Sequence, residues 1–575
     1  VLETEFRIEN GKGRAGIVFG ANDSSLADHT KNELGMEGAN YIRYEINLSG
    51  EAPKLEIYRV GYAPGDSEEV PFASVPVVNF DGEEKKALIT GENAGQFHTM
   101  KIEVDGNNAW TYIDGVLVDA KIVKMPFGEK KTGRVLNPRG TNDVLTYPHL
   151  NETGFFAGEG TRAYFRYLSV RNLRQPSHVF IRETAAGNLY GEESIFAGKC
   201  PVEDGCFVVE DTQFTADPSG TSIPMLRTTF QVREDKKLKK ARLYMTARGI
   251  YDCRVNGQAV TDTLLNPGLT QYDVRIYYQT YDITDQLVKG LNGIGVTLAS
   301  GWWSEASTFV VRNFNYFGDK ESLLAKLVLT YEDGERQVVV SDTEHWKYYG
   351  EGPYTFAGFF AGENYDARRA EIYERYSEAA FDDRDWKMPV EAAPEPIDEF
   401  RSMPPGFGRS FPAVNQNKEI MLTGGYHAPV RIVGEACAKT MAEPEPGVYI
   451  YDLQQEMAGV PRIAFHEKRG TKVTVRFAEV LYPDLPEYAG NTGRLMRENY
   501  RDAASVDTYL CSGRDGEIYQ PRFTFHGYRY IELTGVENPP APEEVKSLQY
   551  SSIVEMDGSF TCSNGLLNRF AENVM

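Results

Sequence analysis

The first 172 residues alternate between apolar and polar positions in short runs broken by turn residues. Within residues 39–47, Ile42, Tyr44 and Ile46 fall on one side and Tyr41, Arg43, Glu45 and Asn47 on the other. That is the pattern of a strand, whose successive side chains point to opposite faces. Residues 97–104, 110–113 and 164–170 repeat it, and Asp105-Gly106 and Asp114-Gly115 punctuate it as tight-turn signals. Gly11, Gly13 and Gly16 have the spacing G-x-G-x-x-G, but the strand-like Ile17-Val18-Phe19 follows. A dinucleotide loop needs a helix at that point, so a hairpin turn between two strands is expected instead. Many short strands with regular turns predict a β-sandwich.

The pattern recurs twice. Residues 195–388 are strand-rich and end in Phe381-Asp382-Asp383-Arg384-Asp385-Trp386. Pro394, Pro396, Pro404, Pro405 and Pro412 then mark a connection. A third strand-rich stretch covers 414–540, with clear alternation at 473–477 and 528–533, and Asn538-Pro539-Pro540-Ala541-Pro542 closes it. After Ser559 the texture changes. Ser563-Asn564 can cap a helix, and Leu566 and Leu567 stand four and three residues before Phe570. The expected class is all-β, tandem sandwiches of jelly-roll type, with a helical domain beginning at the end. The expected division is 1–172, 173–388, a Pro-rich connection at 389–413, 414–550, and the helical start at 551–575.

The 575 residues carry 83 Asp plus Glu against 61 Lys plus Arg, a net charge of -22. Such a surface repels phosphate backbones and anionic lipid heads, which argues against nucleic-acid partners. No apolar run reaches the ~18 residues a spanning helix needs, so no membrane insertion is expected. Val1-Leu2-Glu3 leads directly into patterned sequence, and no secretion signal is read. Six cysteines are too few for a disulfide scaffold; Cys200 and Cys206 could bridge a short loop, but isolated thiols are the favoured reading. The eight His show no zinc spacing, G-x-S-x-G is absent, and Asp382, Asp383 and Asp385 lack the EF-hand pattern. No metal or cofactor is therefore expected. Glycoside hydrolysis needs two facing carboxylates, and the sequence marks no pair, so no catalytic residue is named.

Two stretches are more specific. The first, 241–305, runs through Gly249, Tyr251-Asp252, Asn256-Gly257, Pro267-Gly268, Tyr272-Asp273, Tyr278-Gln279-Thr280-Tyr281-Asp282, Thr284-Asp285 and Gly301-Trp302. It continues in order with Asp333-Gly334, Trp346, Gly362-Glu363, Tyr365-Asp366-Ala367-Arg368 and Trp386. The second, 448–535, contains Ala478-Glu479-Val480-Leu481 and the run of ten from Pro521 to Tyr530 around His526. Both resemble the N-terminal sandwiches of bacterial α-L-rhamnosidases (glycoside hydrolase family 78), and the stretch before 172 resembles a concanavalin or laminin-G-like sandwich. The chain departs from the family at Gln454-Gln455-Glu456-Met457, where a Gly-Gln-Asn step is usual, and at Trp303-Ser304-Glu305, where Tyr-Arg-Gly is usual.

The resemblance implies hydrolysis of terminal α-L-rhamnose by an inverting, two-carboxylate reaction without a metal. In the family the sandwiches lead into an (α/α)6 barrel whose Asp-Cys-Pro-x-Arg-x-Glu-Arg motif holds the sugar and supplies the acid. No such motif occurs here, and residues 561–568 resemble the barrel's entry. The expectation is an enzyme whose catalytic barrel is missing from these residues, inactive as this segment alone. A carbohydrate-binding or purely structural module is the alternative. The implied partner is a rhamnose-containing oligosaccharide or glycoside, with oligomeric state open. Secretion or a periplasmic location suits that substrate, with the cytoplasm as the alternative.

Four residues are candidates for sugar contact. Read as neighbours on a strand, Trp302 and Trp303 face opposite ways, Trp302 toward the core and Trp303 toward a sugar ring. His526 is expected in strand register with Thr524, opposite Phe523 and Phe525, more as a hydrogen-bonded histidine between modules than as a sugar ligand. Glu363 is expected at an interface, ion-paired with Arg368 or Arg369.

Overall fold

The structure is a computed structural model that describes residues 1–23, 39–61, 65–105, 108–136, 152–171, 173, 179–184, 189–190, 199–216, 222–272, 274–305, 317, 320–392, 420–500, 503–553 and 558–574. The part of the Pro-rich connection from 393 onward lies outside them.

The N-terminal unit is two antiparallel sheets facing one another across a single apolar core. One is built around Leu2–Ile8, paired with His98–Asp105, Arg162–Phe165 and Tyr167–Arg171. The other runs Gln213–Ala216, Glu152–Ala157, Arg14–Asp23, Ala39–Asn47, Lys54–Val60, Ala73–Pro76. Phe6, Ile8, Ile17, Ile42, Tyr44, Ile46 and Phe155 meet between them. Asp105 ends His98–Asp105 and pairs with Asn108 at the start of Asn108–Ile113, while Gly106 lies outside the described residues; the Asp114-Gly115 signal sits at the turn joining Asn108–Ile113 to Val116–Asp119. Asp114 and Gly115 both take positive φ, 49° and 77°, the backbone a two-residue hairpin turn demands.

Two expectations are corrected here. The glycine segment at 11–16 does not make a hairpin. Leu2–Ile8 and Arg14–Asp23 belong to different sheets, so the turn at Glu9–Gly11 is a corner between layers. The first unit also runs past 172. Cys206–Glu210 pairs with Arg162–Phe165, and Gln213–Ala216 with Glu152–Ala157. All six cysteines are free thiols.

The second unit pairs the sheet Gln258–Ala259, Ile250–Val255, Gly290–Ala299, Met225–Val232, Lys347–Tyr349 with the sheet Arg336–Val340, Ser322–Tyr331, Leu238–Arg248, Arg275–Asp282, Met421–Gly424. Leu243, Met245, Tyr251, Val296, Leu327 and Trp346 fill the space between. The third unit is one ten-stranded sheet around Val448–Phe465, an 18-residue strand. Its register against His526–Thr534 slips between Asp452 and Met457. Gln454 sits in that slip at φ 59°, so the strand bends there and serves two parts of the sheet. This bulge falls within Gln454-Gln455-Glu456-Met457.

The second and third units are stitched in both directions. Gly362–Asp366 precedes the Pro-rich connection but pairs in parallel with Val506–Leu510 of the third sheet. Met421–Gly424 follows the connection but pairs in parallel with Arg275–Asp282 of the second. The two sheets therefore interlock from either side of the expected connection at 389–413. Last comes the helix Gly565–Val574, as its spacing predicts. The Asn564 side chain accepts the Leu566 amide at 2.9 Å, a cap for the first turn. Leu566 and Phe570 are exposed.

Candidate functional site: the joint between the second and third units

Where Gly362–Asp366 enters the third sheet, three of its buried polar side chains converge. Asp507 Oδ1 accepts the Glu363 amide at 3.0 Å, and His526 Nε2 lies 3.0 Å from the same oxygen. Because that oxygen accepts, Nε2 is the ring nitrogen that carries the hydrogen. The imidazole stacks on Phe477, with centroids 4.0 Å apart. Glu363 Oε2 accepts the amides of Arg522 and Phe523 at 3.0 and 2.9 Å. Glu363 and Asp507 are fully buried and His526 is 3% exposed. Glu363 Oε1, Asp507 Oδ2 and His526 Nδ1 are buried without a hydrogen-bond partner. Burial pushes the Glu363 carboxyl up to about 8, the two amide donors opposing it and the Asp507 charge adding to it.

A second polar contact lies alongside. Asp252, on Ile250–Val255 of the second unit, accepts from Arg522 of the third and from the Tyr373 hydroxyl at 2.7 Å. Burial alone would raise the Asp252 carboxyl, but the Arg522 charge and hydrogen bond, with the Tyr373 hydroxyl, hold it below the usual range. Aromatic rings close the space around these groups. Tyr354 meets Phe523 edge to face at 5.0 Å, and Phe359 lies 5.4 Å from Phe525.

Sequence reasoning placed Glu363 and His526 among the residues to watch but missed what joins them. The strand begins at His526; Phe523, Thr524 and Phe525 lie in the irregular stretch before it. The expected pairing of Glu363 with Arg368 or Arg369 does not form. Both arginines pair with Asp366, at 2.9 and 3.2 Å, because the strand's alternation turns Asp366 toward them and Glu363 inward.

The tryptophans are corrected as well. Gly301–Ser304 is a helical turn, not a strand. Trp303 is the buried one, 7% exposed. Tyr272 meets it edge-on at 5.6 Å, Phe317 stacks at 6.3 Å, and its Nε1 donates to the Lys320 carbonyl at 3.1 Å. Trp302 keeps partial exposure, its ring 4.4 Å from Phe359. Glu305, two residues on, went unrecognised. Its carboxylate accepts the amides of Phe359, Phe360 (2.8 Å) and Ala361 (3.1 Å), the turn between Tyr354–Gly358 and Gly362–Asp366. Burial pushes it up to about 7 against those three donors. The available signal was the departure itself, Trp303-Ser304-Glu305, where the family keeps Tyr-Arg-Gly.

Glu305 thus holds the hairpin's turn, and Glu363, just past that turn, ties the hairpin to the Arg522 and Phe523 amides. The arrangement fixes the hairpin between the units; it offers no carboxylate to solvent. Gly362 is its hinge, at φ +112°, with a Cβ position that falls on the Val506 carbonyl. Gly362→Ala is expected to destabilise the joint by roughly 2–4 kcal/mol, read as a lower midpoint in thermal unfolding. A loss below about 1 kcal/mol would show that the hairpin tolerates displacement.

Two family models match the chain across this joint. Residues 236–405 match the alpha-L-rhamnosidase N-terminal domain, and residues 442–551 match the bacterial alpha-L-rhamnosidase concanavalin-like domain. Two domains described from bacterial α-L-rhamnosidases are thus matched within this chain, at residues 236–405 and 442–551. An α-L-rhamnosidase of Streptomyces avermitilis is 33% identical over 364 residues, 62% of this chain and 32% of that protein. One from Formosa agariphila is 35% identical over 358 residues, 61% of this chain and 34% of that protein. The chain thus spans about a third of the length of the curated relatives it matches. The crystal structure of the S. avermitilis α-L-rhamnosidase complexed with L-rhamnose aligns with 96% of this chain and 43% of its own, at TM-score 0.52 and 23% identity. The α-L-rhamnosidase from Dictyoglumus thermophilum aligns with 82% of this chain and 50% of its own, at 0.50 and 24%. These two structures bear on the rhamnosidase modules' fold.

Proposed function

We propose that these modules are the non-catalytic β-portion of an α-L-rhamnosidase, an enzyme that removes terminal α-L-rhamnose from a glycan or glycoside with inversion. In that reaction one carboxylic acid protonates the leaving oxygen and a second carboxylate activates water. Both groups lie outside residues 1–575 in this reading, and the helix Gly565–Val574 opens the domain that carries them. The observation that supports it is the state of the candidate carboxylates. Glu305, Glu363, Asp252 and Asp507 are all buried and committed to holding the hairpin and the seam. A base must reach a water and an acid must reach a glycosidic oxygen; none of these four can. The modules act as a rigid platform against which the catalytic domain docks. The setting that suits such an enzyme is a periplasm or the cell exterior.

The test is release of p-nitrophenol from p-nitrophenyl α-L-rhamnopyranoside. The 575-residue chain, folded by circular dichroism, is expected to give no turnover above background, and a chain extended at its C-terminal end is expected to be active. Turnover by the 575 residues would place the acid and base within them and overturn this reading.

A further inference from the structure

The outer face of the second unit does not share the acidity of the chain. Leu238–Arg248, Ser322–Tyr331 and Arg336–Val340 lie side by side, and their outward residues line a shallow depression of about 450 Å³. Four of the seven lining residues are cations, Lys240, Arg242, Lys326 and Arg336, and none is an acid. The strand register arranges them as a grid. Lys240 stands opposite Thr330, which stands opposite Arg336; Arg242 is opposite Val328; Tyr244 is opposite Lys326. With strands ~4.8 Å apart and alternate residues ~7 Å apart, the four charges fall within about 15 Å of one another. One acid borders the grid: Asp282 on the neighbouring strand, 3.3 Å from Lys240 and opposite Arg242 in register. Arg242, Lys326 and Arg336 have no ion pair among the described residues.

Clustered like charges repel, and surface cations are normally interspersed with acids. The chain has 83 acidic residues with which to neutralise this face and places one at its edge. The ground between the cations is apolar. Tyr244 meets Tyr278 edge-on at 6.3 Å, Val328 lies in the middle, and Val338 and Leu324 at the margin are 50% and 53% exposed. Apolar and aromatic side chains accept the C–H faces of sugar rings. Guanidinium forks bind carboxylate and sulfate oxygens in pairs. The face is open and extended, as suits a polymer rather than an enclosed small molecule. An anionic chain repelled elsewhere by a net charge of -22 is steered to it.

We propose that this sheet face is an auxiliary binding surface for an acidic polysaccharide, one bearing uronate carboxylates or sulfate esters. The proposal rests on the reading of the chain as part of a glycan-degrading enzyme and narrows its substrate class to rhamnose carried on an anionic polymer. Such a surface holds the polymer near the enzyme while neutral rhamnose is removed elsewhere.

Affinity electrophoresis of the 575-residue chain tests it, in gels holding polygalacturonate, dextran sulfate or neutral dextran. Retardation is expected with at least one acidic polymer and not with dextran, and the polymer that retards identifies carboxylate or sulfate as the recognised group. The variant Arg242→Gln/Lys326→Gln/Arg336→Gln is expected to bind about tenfold more weakly with unchanged thermal unfolding. Tyr244→Ala is expected to weaken binding several-fold while keeping its salt dependence. No retardation by either acidic polymer at low salt, undiminished binding by the triple variant, or equal binding of a short DNA duplex would each overturn the proposal. Rhamnoside hydrolysis by the extended chain is scored separately, so binding without hydrolysis would sink the enzymatic reading and leave this surface standing.

Discussion

Replacing Arg522 by alanine will cost about 3–5 kcal/mol of stability, the usual loss when one partner of a buried ion pair is removed. Asp252 would then lie in the seam with only the Tyr373 hydroxyl at hydrogen-bond distance and Arg254 at 3.6 Å. The loss should appear as a lower midpoint for the transition that unfolds the interlocked second and third units. The effect also has a pH signature. Asp252 is held below its ordinary value of 3.8 in the folded protein. A depressed carboxyl contributes stability above its unfolded pKa, and that contribution is lost as pH falls through the folded value. The wild-type advantage over Arg522→Ala should therefore be full at neutral pH and shrink below about pH 4. Replacing both partners by apolar residues, Asp252→Leu with Arg522→Met, should recover most of the loss, since no charge is left stranded. A single variant within 1 kcal/mol of wild type would show that the partial exposure of the Arg522 side chain, 26%, leaves the seam wet.

The strands were legible because their alternation is local. Residues 39–47, 473–477 and 528–533 predict strands, and Ala39–Asn47, Lys472–Ala478 and His526–Thr534 contain them. What a local pattern cannot carry is which sheet a strand joins. Gly362–Asp366 and Met421–Gly424 lie on opposite sides of the Pro-rich connection, yet each pairs, in parallel, with a strand of the other unit. The corner at Glu9–Gly11 has the same cause: a turn signal says that the chain reverses, not whether it returns to its own sheet. The site was half legible. Glu363 and His526 stand in motifs specific enough to single out, but Asp507, the residue that joins them, sits in an unremarkable run 144 and 19 residues away. Trp302 and Trp303 were misassigned because a strand period was applied to a helical turn. Two adjacent residues separated by ~100° rather than ~180° do not divide cleanly into an inner and an outer face.

Stability of the joint should fall, not rise, as pH climbs from about 4.5 toward 8, and Glu363 should be the main cause. Its carboxyl moves from 4.5 to about 8 on folding. Below 4.5 it is protonated in both states and costs nothing. Between the two values the unfolded chain releases the proton while the folded one keeps it, so the unfolded state gains with rising pH. In the full limit the window is worth roughly 3–5 kcal/mol. Glu363→Gln removes the titration but keeps an oxygen for the Arg522 and Phe523 amides. It also removes a negative charge that the Asp507 charge disfavours. The variant is therefore expected to be no less stable than wild type at pH 8 and to flatten the slope of denaturant-unfolding free energy against pH. A residual slope ending near pH 7 would belong to Glu305, which burial also raises, and Glu305→Gln should remove it. If wild type and Glu363→Gln keep parallel profiles from pH 5 to 8, Glu363 is ionised throughout, and the joint must contain a donor for its second oxygen. If the slopes separate as expected, the hairpin binds its two sheets most tightly in acid.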